Sequence, residues 1–185
     1  MERSRVLSVV GSLALLAGGA AHGAAGDQAT AAGKKTPVEE IRGMESGCGA
    51  TAAERQKRQA EKPLFVRLGG EEKILAFTRD IVRLHRQNPE IGHYFAKSDP
   101  EVAAKHAAEF ITTGTGGPAV YKGPDLRTTH ARMGITNRDF VVAGKDIVQA
   151  MTNLGYGPNE IDEMVCTLVS LRDQVVREDQ VALKD

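Results

Sequence analysis

The chain has 185 residues, and its 24 lysines and arginines balance its 24 aspartates and glutamates. That neutrality argues against a nucleic-acid surface, which needs a basic footprint, and against an acidic solvating segment. The two cysteines, Cys48 and Cys166, show no CxxC or CxxCH spacing, which excludes a zinc ribbon, a thioredoxin-type redox motif and c-type haem attachment.

Residues 1–25 carry Arg3 and Arg5, then an apolar run ending near Ala21, then small residues suited to cleavage. This is the layout of a secretory signal peptide, and the run is too short for a comfortable membrane span. The expectation is export, to the periplasm or beyond, with no membrane span in the mature protein. Residues 26–62 are rich in Ala, Gly, Lys, Glu and Gln, and read as a linker, mostly disordered or part helical around Thr51 to Glu61. Residues 63–185 are the right size for one small domain. Cys166 lies among Met164, Val165, Leu168 and Val169 and reads as a buried thiol, with pairing to Cys48 open if the protein is exported.

Helical periodicity dominates from Glu71 onward, and no run alternates as a strand would. Ile74, Phe77, Ile81, Leu84 and His85 keep helical spacing up to the stop at Asn88-Pro89. Ser98-Asp99-Pro100-Glu101 predicts a helix start with Ser98 as cap, and Val102, Ala103, His106, Ala107, Phe110 and Ile111 then share one face. Gly114, Gly116, Gly117 and Pro118 end that helix. Asp125 predicts the cap of a helix through Arg132, with Leu126, His130 and Met133 on one side and Gly134 as its C-terminal stop. Thr136 to Asp139 reads as a capping box opening a helix to about Leu154, with Phe140, Ala143, Ile147, Met151 and Leu154 inward. A last helix carries Ile161, Met164, Val165, Leu168, Arg172 and Val175. The predicted class is all-α.

The chemistry-bearing residues are the histidines. His130 sits on an apolar face, a setting that keeps imidazole neutral and therefore able to ligate a metal. Two histidines, His106 and His130, on helices either side of a glycine-rich break suit a flat apolar group with a metal at its centre; a single histidine on such a face is more often a hydrogen-bonded core residue. Gly114, Gly116 and Ala119 stand at GxGxxA spacing, but a helix precedes them and Pro118 interrupts them, so a dinucleotide site is rejected. His85, His93, His106 and His130 lack tight zinc spacing, and no GxSxG elbow supports a serine hydrolase.

The domain resembles the truncated haemoglobins, group 1, the two-over-two globins. The resemblance is carried by Leu64-Phe65-Val66-Arg67-Leu68-Gly69-Gly70, by Tyr94-Phe95 after Asn88-Pro89, and by Phe110 with Gly116-Gly117-Pro118. It continues through Tyr121-Lys122-Gly123, the run from His130 to Thr136, Phe140, and Leu171-Arg172. It implies a shortened globin fold, a two-over-two helical sandwich around a noncovalent haem b (iron protoporphyrin IX). His130 matches the proximal iron ligand and Phe95 the aromatic on the haem face. Phe110, Ile135 and Phe140 match pocket walls, with Leu126 on the helix that carries His130. His106 matches a position that some members use for a distal iron ligand; otherwise it would face solvent or a haem propionate. Where the family often has a distal Tyr this chain has Val82, and two distal positions often polar are Ala103 and Ala107.

The implied function is binding of small diatomic ligands (O2, NO, CO) at the haem iron, in oxygen binding or transport or in NO detoxification. The alternative is a bis-histidyl electron-transfer or redox-sensing protein with a redox partner that the sequence does not name. NO dioxygenase or peroxidase-like turnover would be side activities, and a haemless helical interaction module is the remaining competitor.

Overall fold

A computed structural model describes residues 35–118 and 121–177, and every regular element in them is helical. These are α1 (Pro37–Ala50), α2 (Ala52–Glu61), α3 (Leu64–Arg67), α4 (Gly70–Gln87), a 3-10 turn (Gly92–Phe95), α5 (Pro100–Gly114), α6 (Leu126–His130), α7 (Asn137–Asn153) and α8 (Pro158–Val175). The expected signal peptide, residues 1–25, lies outside the described residues, as do residues 26–34 of the expected linker. Among the described residues no helix is long and apolar enough to cross a membrane.

α4 is the spine. Ile74, Phe77, Thr78, Ile81, Val82 and His85 are buried along it at three- and four-residue steps, one stripe of a 3.6-residue helix. α5 and α7 both pack on α4, and α7 packs on α8. The α4–α5 pair therefore stacks with the α7–α8 pair, the two-over-two arrangement expected. Its main core joins Leu64, Leu68, Ile74, Phe77, Ile81, Ala108, Ala150, Met151 and Met164. Phe77 has no exposed surface, so Phe77→Ala would cost about 3–5 kcal/mol.

Four expectations are corrected in detail. α5 buries Ala104, Ala108 and Thr112, not the face of Val102 and His106. Small side chains at i, i+4 and i+8 let α5 lie close on α4, and Val102 is left 52% exposed. The α5 cap is Asp99, which accepts from the N–H groups of Glu101 and Val102, each at 2.9 Å. Asp99 rather than Ser98 takes that role because Pro100 fits the first helical position. α6 ends at His130, two residues before Arg132, and Leu154 is 42% exposed beyond the end of α7.

Two glycines are required by their surroundings. A Cβ on Gly117 would lie 2.6 Å from the Phe65 ring and 2.8 Å from the Thr112 carbonyl oxygen, so the chain can leave α5 along this path only with glycine. Gly134 has φ +67°, a left-handed conformation that costs other residues strain, and it turns the chain from α6 toward α7.

The expected linker is helical where it is described. Thr36 caps α1 in a box with Glu39, Pro37 fills the first turn, and Ile41 is wholly buried. Ile41, Ile135, Phe140, Val141 and Val176 form a second core cluster, with Met44, Tyr94 and Met133 against it. α2 is tied by Arg58, whose Nε donates to Glu163 Oε1 at 2.6 Å. The thiol expected at Cys166 is instead half of a disulfide with Cys48, their Cα atoms 5.4 Å apart. The packing of α1 on α8 creates this proximity, which residue spacing alone does not reveal.

Candidate functional site

α6 is a single capped turn. Asp125 accepts from the Thr128 N–H at 2.8 Å, and Arg127 donates to the Asp173 carbonyl of α8 at 3.0 Å, which fixes the turn against the bundle. Within it, His130 Nδ1 lies 2.7 Å from the carbonyl oxygen of Leu126. A carbonyl can only accept, so Nδ1 carries the proton, and in a neutral imidazole the lone pair is then on Nε2. This is the arrangement of a metal-ligating histidine, with ring orientation and tautomer set by a backbone carbonyl. His130 is half-buried.

The chain then turns through Met133, whose N–H donates to the His130 carbonyl at 2.9 Å, and Gly134 to Ile135. Ile135 and Phe140 are both buried and meet in the second core cluster with Met133 and Tyr94. The start of α7 that carries Phe140 is held by its capping box: Asp139 Oδ2 accepts from the Thr136 N–H at 2.9 Å, the Thr136 hydroxyl at 2.8 Å and the Tyr94 hydroxyl at 3.0 Å. Burial works to raise the Asp139 pKa, but these donors outweigh it, and the carboxyl sits below its ordinary range.

Phe95 ends the 3-10 turn. Its ring is tilted on that of His85 with centroids 5.3 Å apart, and Arg86 donates to its carbonyl at 2.7 Å. His85 is itself bound to Asp146 of α7, Nδ1 to Oδ2 at 3.0 Å. Burial pushes the His85 pKa below its ordinary value despite the opposing pull of Asp146. On α5, Ala103, Ala107 and Phe110 are half-buried and His106 is exposed. Phe110 meets Tyr121 edge to face at 5.3 Å, and Tyr121 donates to the Pro124 carbonyl at 3.0 Å. That pair links the end of α5 to the loop that delivers Asp125 and α6. Val82, 5% exposed on α4, lines a cavity of about 530 Å³ with Arg79, Arg83, Arg86, Gln87, Pro100 and Glu101.

The structure thus joins Leu126 with His130, Ile135 with Phe140, Phe95 with His85 and Phe110 with Tyr121. It shows no direct contact between His106 and His130. The supports from His85, Asp146 and Ile41 were not anticipated; a Thr-Pro-x-Glu start followed by Ile41, Met44 and Cys48 at helical spacing was the available signal for α1.

The residues fit a haem. They offer one imidazole oriented by a backbone carbonyl, aromatic and aliphatic side chains on the 3-10 turn, α5 and the start of α7, and no competing thiolate, since both cysteines are paired. When bound, haem would supply an iron centre; His130 would hold it, and Phe95, Phe110, Leu126, Ile135 and Phe140 would wall it.

Residues 63–177 match the family model described as bacterial-like globin. Among curated proteins the chain is similar to a group 1 truncated hemoglobin of Chlamydomonas moewusii, 26% identical over 115 residues, covering 61% of this chain and 67% of that protein. It is also similar to a group 1 truncated hemoglobin of Tetrahymena thermophila, 27% identical over 100 residues, covering 54% and 83%. Among solved structures, the Fe(III) form of truncated hemoglobin from Tetrahymena pyriformis superposes with a TM-score of 0.58 at 22% identity, covering 62% of this chain and 98% of that one. The hemoglobin of Chloroflexus aurantiacus gives 0.55 at 20% identity, covering 62% and 97%. A helical sandwich of this shape, a matched region that includes every candidate site residue and an oriented histidine on α6 agree: the chain belongs to the bacterial-like globin family, with the fold of a truncated haemoglobin.

Proposed function

We propose that the protein is an exported globin that binds haem b and takes up diatomic gases (O2, NO or CO) at its iron. The observation that carries this is the hydrogen bond from His130 Nδ1 to the Leu126 carbonyl, 2.7 Å, which leaves Nε2 as the ligating atom. The Fe(III) form named for the Tetrahymena pyriformis protein agrees with an iron cofactor in this fold. The Cys48–Cys166 disulfide supports an oxidising compartment and hence export, to the periplasm or the medium.

Oxygen binding or transport and NO detoxification are both open to such a site, and the distal residues favour weak retention of oxygen. Val82, Ala103 and Ala107 carry no hydrogen-bond donor on their side chains. Each missing donor removes on the order of 1 kcal/mol from the hold on a polar ligand. A bis-histidyl electron-transfer or redox-sensing role rests on one observation: among the described residues His106 is exposed and makes no side-chain hydrogen bond, so its imidazole is available.

The test is an absorption spectrum of the haem-reconstituted chain, ferric and then dithionite-reduced, with and without CO. The wild type should take up haem and its reduced form should bind CO, while His130→Gly should bind haem weakly and recover an iron ligand from added imidazole. A wild type that folds as a helical domain and takes up no haem overturns the proposal. Low-spin six-coordinate bands that turn five-coordinate in His106→Ala would move the function to the bis-histidyl class.

A further inference from the structure

α1 lies outside the residues matched by the globin family, yet it supplies the back of the wall built by Ile135 and Phe140. Ile41 is wholly buried in that cluster, and Met44 packs against it one turn later. Cys48 follows at the same helical spacing, so Ile41, Met44 and Cys48 share one face of α1. That face meets α7 and α8. Met133, three residues after His130, touches the same cluster.

The helix is poorly suited to stand alone. Gly43, Gly47 and Gly49 weaken it, and a Cβ at any of the three would meet nothing within 4 Å, so close packing does not explain them. Ile41 is its one buried residue. Besides the buried Ile41, α1 is tied to α8 by the disulfide, to α7 by a Glu40–Lys145 ion pair at 2.8 Å in which Lys145 is largely exposed, and to α2 by Arg55, which donates to the Cys48 carbonyl at 2.6 Å. Exposed ion pairs contribute little, and the disulfide is the covalent tie between α1 and α8. Cys48 is half-buried and Cys166 is buried.

We propose that α1 is a strap that retains the cofactor, with Ile41 as a positioning residue acting through Ile135 and Phe140 and the Cys48–Cys166 bond as its clasp. This rests on the haem-binding proposal above. A dithiol reductant opens the clasp: one of its thiolates attacks a disulfide sulfur, the S–S bond breaks, and two electrons pass to the protein. The dithiol ends as its own disulfide, and Cys48 and Cys166 end as thiols carrying the two protons. α1 then leaves the cluster, the Ile135–Phe140 wall loosens, and haem escapes faster.

The experiment follows ferric haem passing from the full-length holoprotein to excess apomyoglobin, together with amide hydrogen exchange. Four samples are compared: oxidised wild type, wild type reduced with dithiothreitol and desalted without air, Cys48→Ser, and Ile41→Ala with its disulfide intact. Reduction and Cys48→Ser should each speed haem transfer on the order of tenfold. Ile41→Ala should speed it as well, and Ile41→Val should restore most of the wild-type rate. Exchange should rise in α1 and at the Ile135–Phe140 amides while α4 and α8 stay protected. Transfer rates that stay together across all samples would overturn the strap and leave the haem proposal standing. Loss of protection throughout α4 and α8 on reduction would also overturn it, making the disulfide a general staple of the fold. Failure of oxidised wild type to take up haem would overturn the function proposal, and the strap with it.

Discussion

His85 on α4 and Asp146 on α7 are joined through Nδ1 and Oδ2 at 3.0 Å, and Asn88 donates to both oxygens of the same carboxylate at 3.1 and 3.0 Å. The pair ties the end of the spine helix to α7, and the ring of His85 supports Phe95. Burial favours neutral imidazole here, so the folded pKa lies below 6.5, the value of the free side chain. On acidification the unfolded chain therefore takes up a proton before the folded one does. Stability from this site is complete above about pH 6.5 and declines as the pH falls from there toward the lowered native value. Chemical denaturation of wild type and His85→Gln at about pH 7.5 and about pH 5.5 tests this. The wild type should lose more stability on acidification than the variant. Asp146→Ala, which strands the buried His85 donor and the half-buried Asn88 amide, should cost about 1–3 kcal/mol at neutral pH. Equal acid sensitivity in wild type and His85→Gln would refute the assignment.

The half-buried Ala107 gives a direct way to test the distal side. Ala107→Gln places an amide donor at a half-buried position of α5 that the proposed haem site would have on its distal side. If Val82, Ala103 and Ala107 do leave a bound ligand without donors, the variant should slow oxygen release several-fold, as one added hydrogen bond is worth about 1 kcal/mol. CO, which gains less from a donor, should change little. Stopped-flow displacement of O2 by CO gives both numbers, and an unchanged oxygen off-rate would mean that another group already serves the ligand.

How far the sequence reached depends on which forces act locally. The capping box at Thr136 and Asp139 and the spine stripe through Ile74, Phe77 and Ile81 are fixed by neighbours a few positions away, and both were legible. The orientation of α5 was not, because alanines carry little apolar signal: Ala104, Ala108 and Thr112 form the buried stripe by being small, while Val102 and Phe110 suggested a different face. The disulfide joins positions 118 apart, and the burial of Ile41 depends on packing against Ile135, Phe140 and Val176, far along the chain. His130 and its motif marked the candidate ligand, but the Leu126 carbonyl that orients its ring is a backbone atom and leaves no trace in residue identity.

The start of α7 offers a stability test with a separate structural signature. Thr136 accepts from the Asp139 N–H at 3.3 Å, and Asp139 returns the bond to the Thr136 N–H. Thr136→Ala should cost about 1 kcal/mol, and Thr136→Ser should recover most of it. Asp139→Ala should cost more, about 2 kcal/mol, because the Tyr94 hydroxyl loses its partner as well. The lowered Asp139 pKa adds a second readout: its contribution is present above the ordinary value of 3.8 and vanishes as the pH falls below it. Thermal melts at neutral and acid pH should therefore separate wild type from Asp139→Ala at the former and bring them together at the latter.

Glu163 on α8, 5% exposed, holds the start of the domain together. Its Oε1 accepts from Arg58 of α2 at 2.6 Å, and its Oε2 accepts from Arg67 of α3. Arg67 has a second acceptor in Glu160 at 2.8 Å, and Arg58 reaches Asp162 at 3.4 Å. Removing one partner of a buried ion pair typically costs about 3–5 kcal/mol because a charge is stranded. Here each guanidinium keeps another carboxylate, so Glu163→Ala should fall lower, at about 2–3 kcal/mol. Glu160→Ala, which leaves Arg67 its bond to Glu163, should cost less. The two variants should also differ in where they loosen the chain. Glu163→Ala releases α2 from α8, so trypsin should cut at Arg55, Lys57 or Arg58 faster than in wild type, whereas Glu160→Ala should leave those sites protected. Equal cleavage of α2 in both variants would show that Glu163 is not what anchors it, and that Gln59, which accepts from the Leu64 N–H at 2.9 Å, and the disulfide suffice.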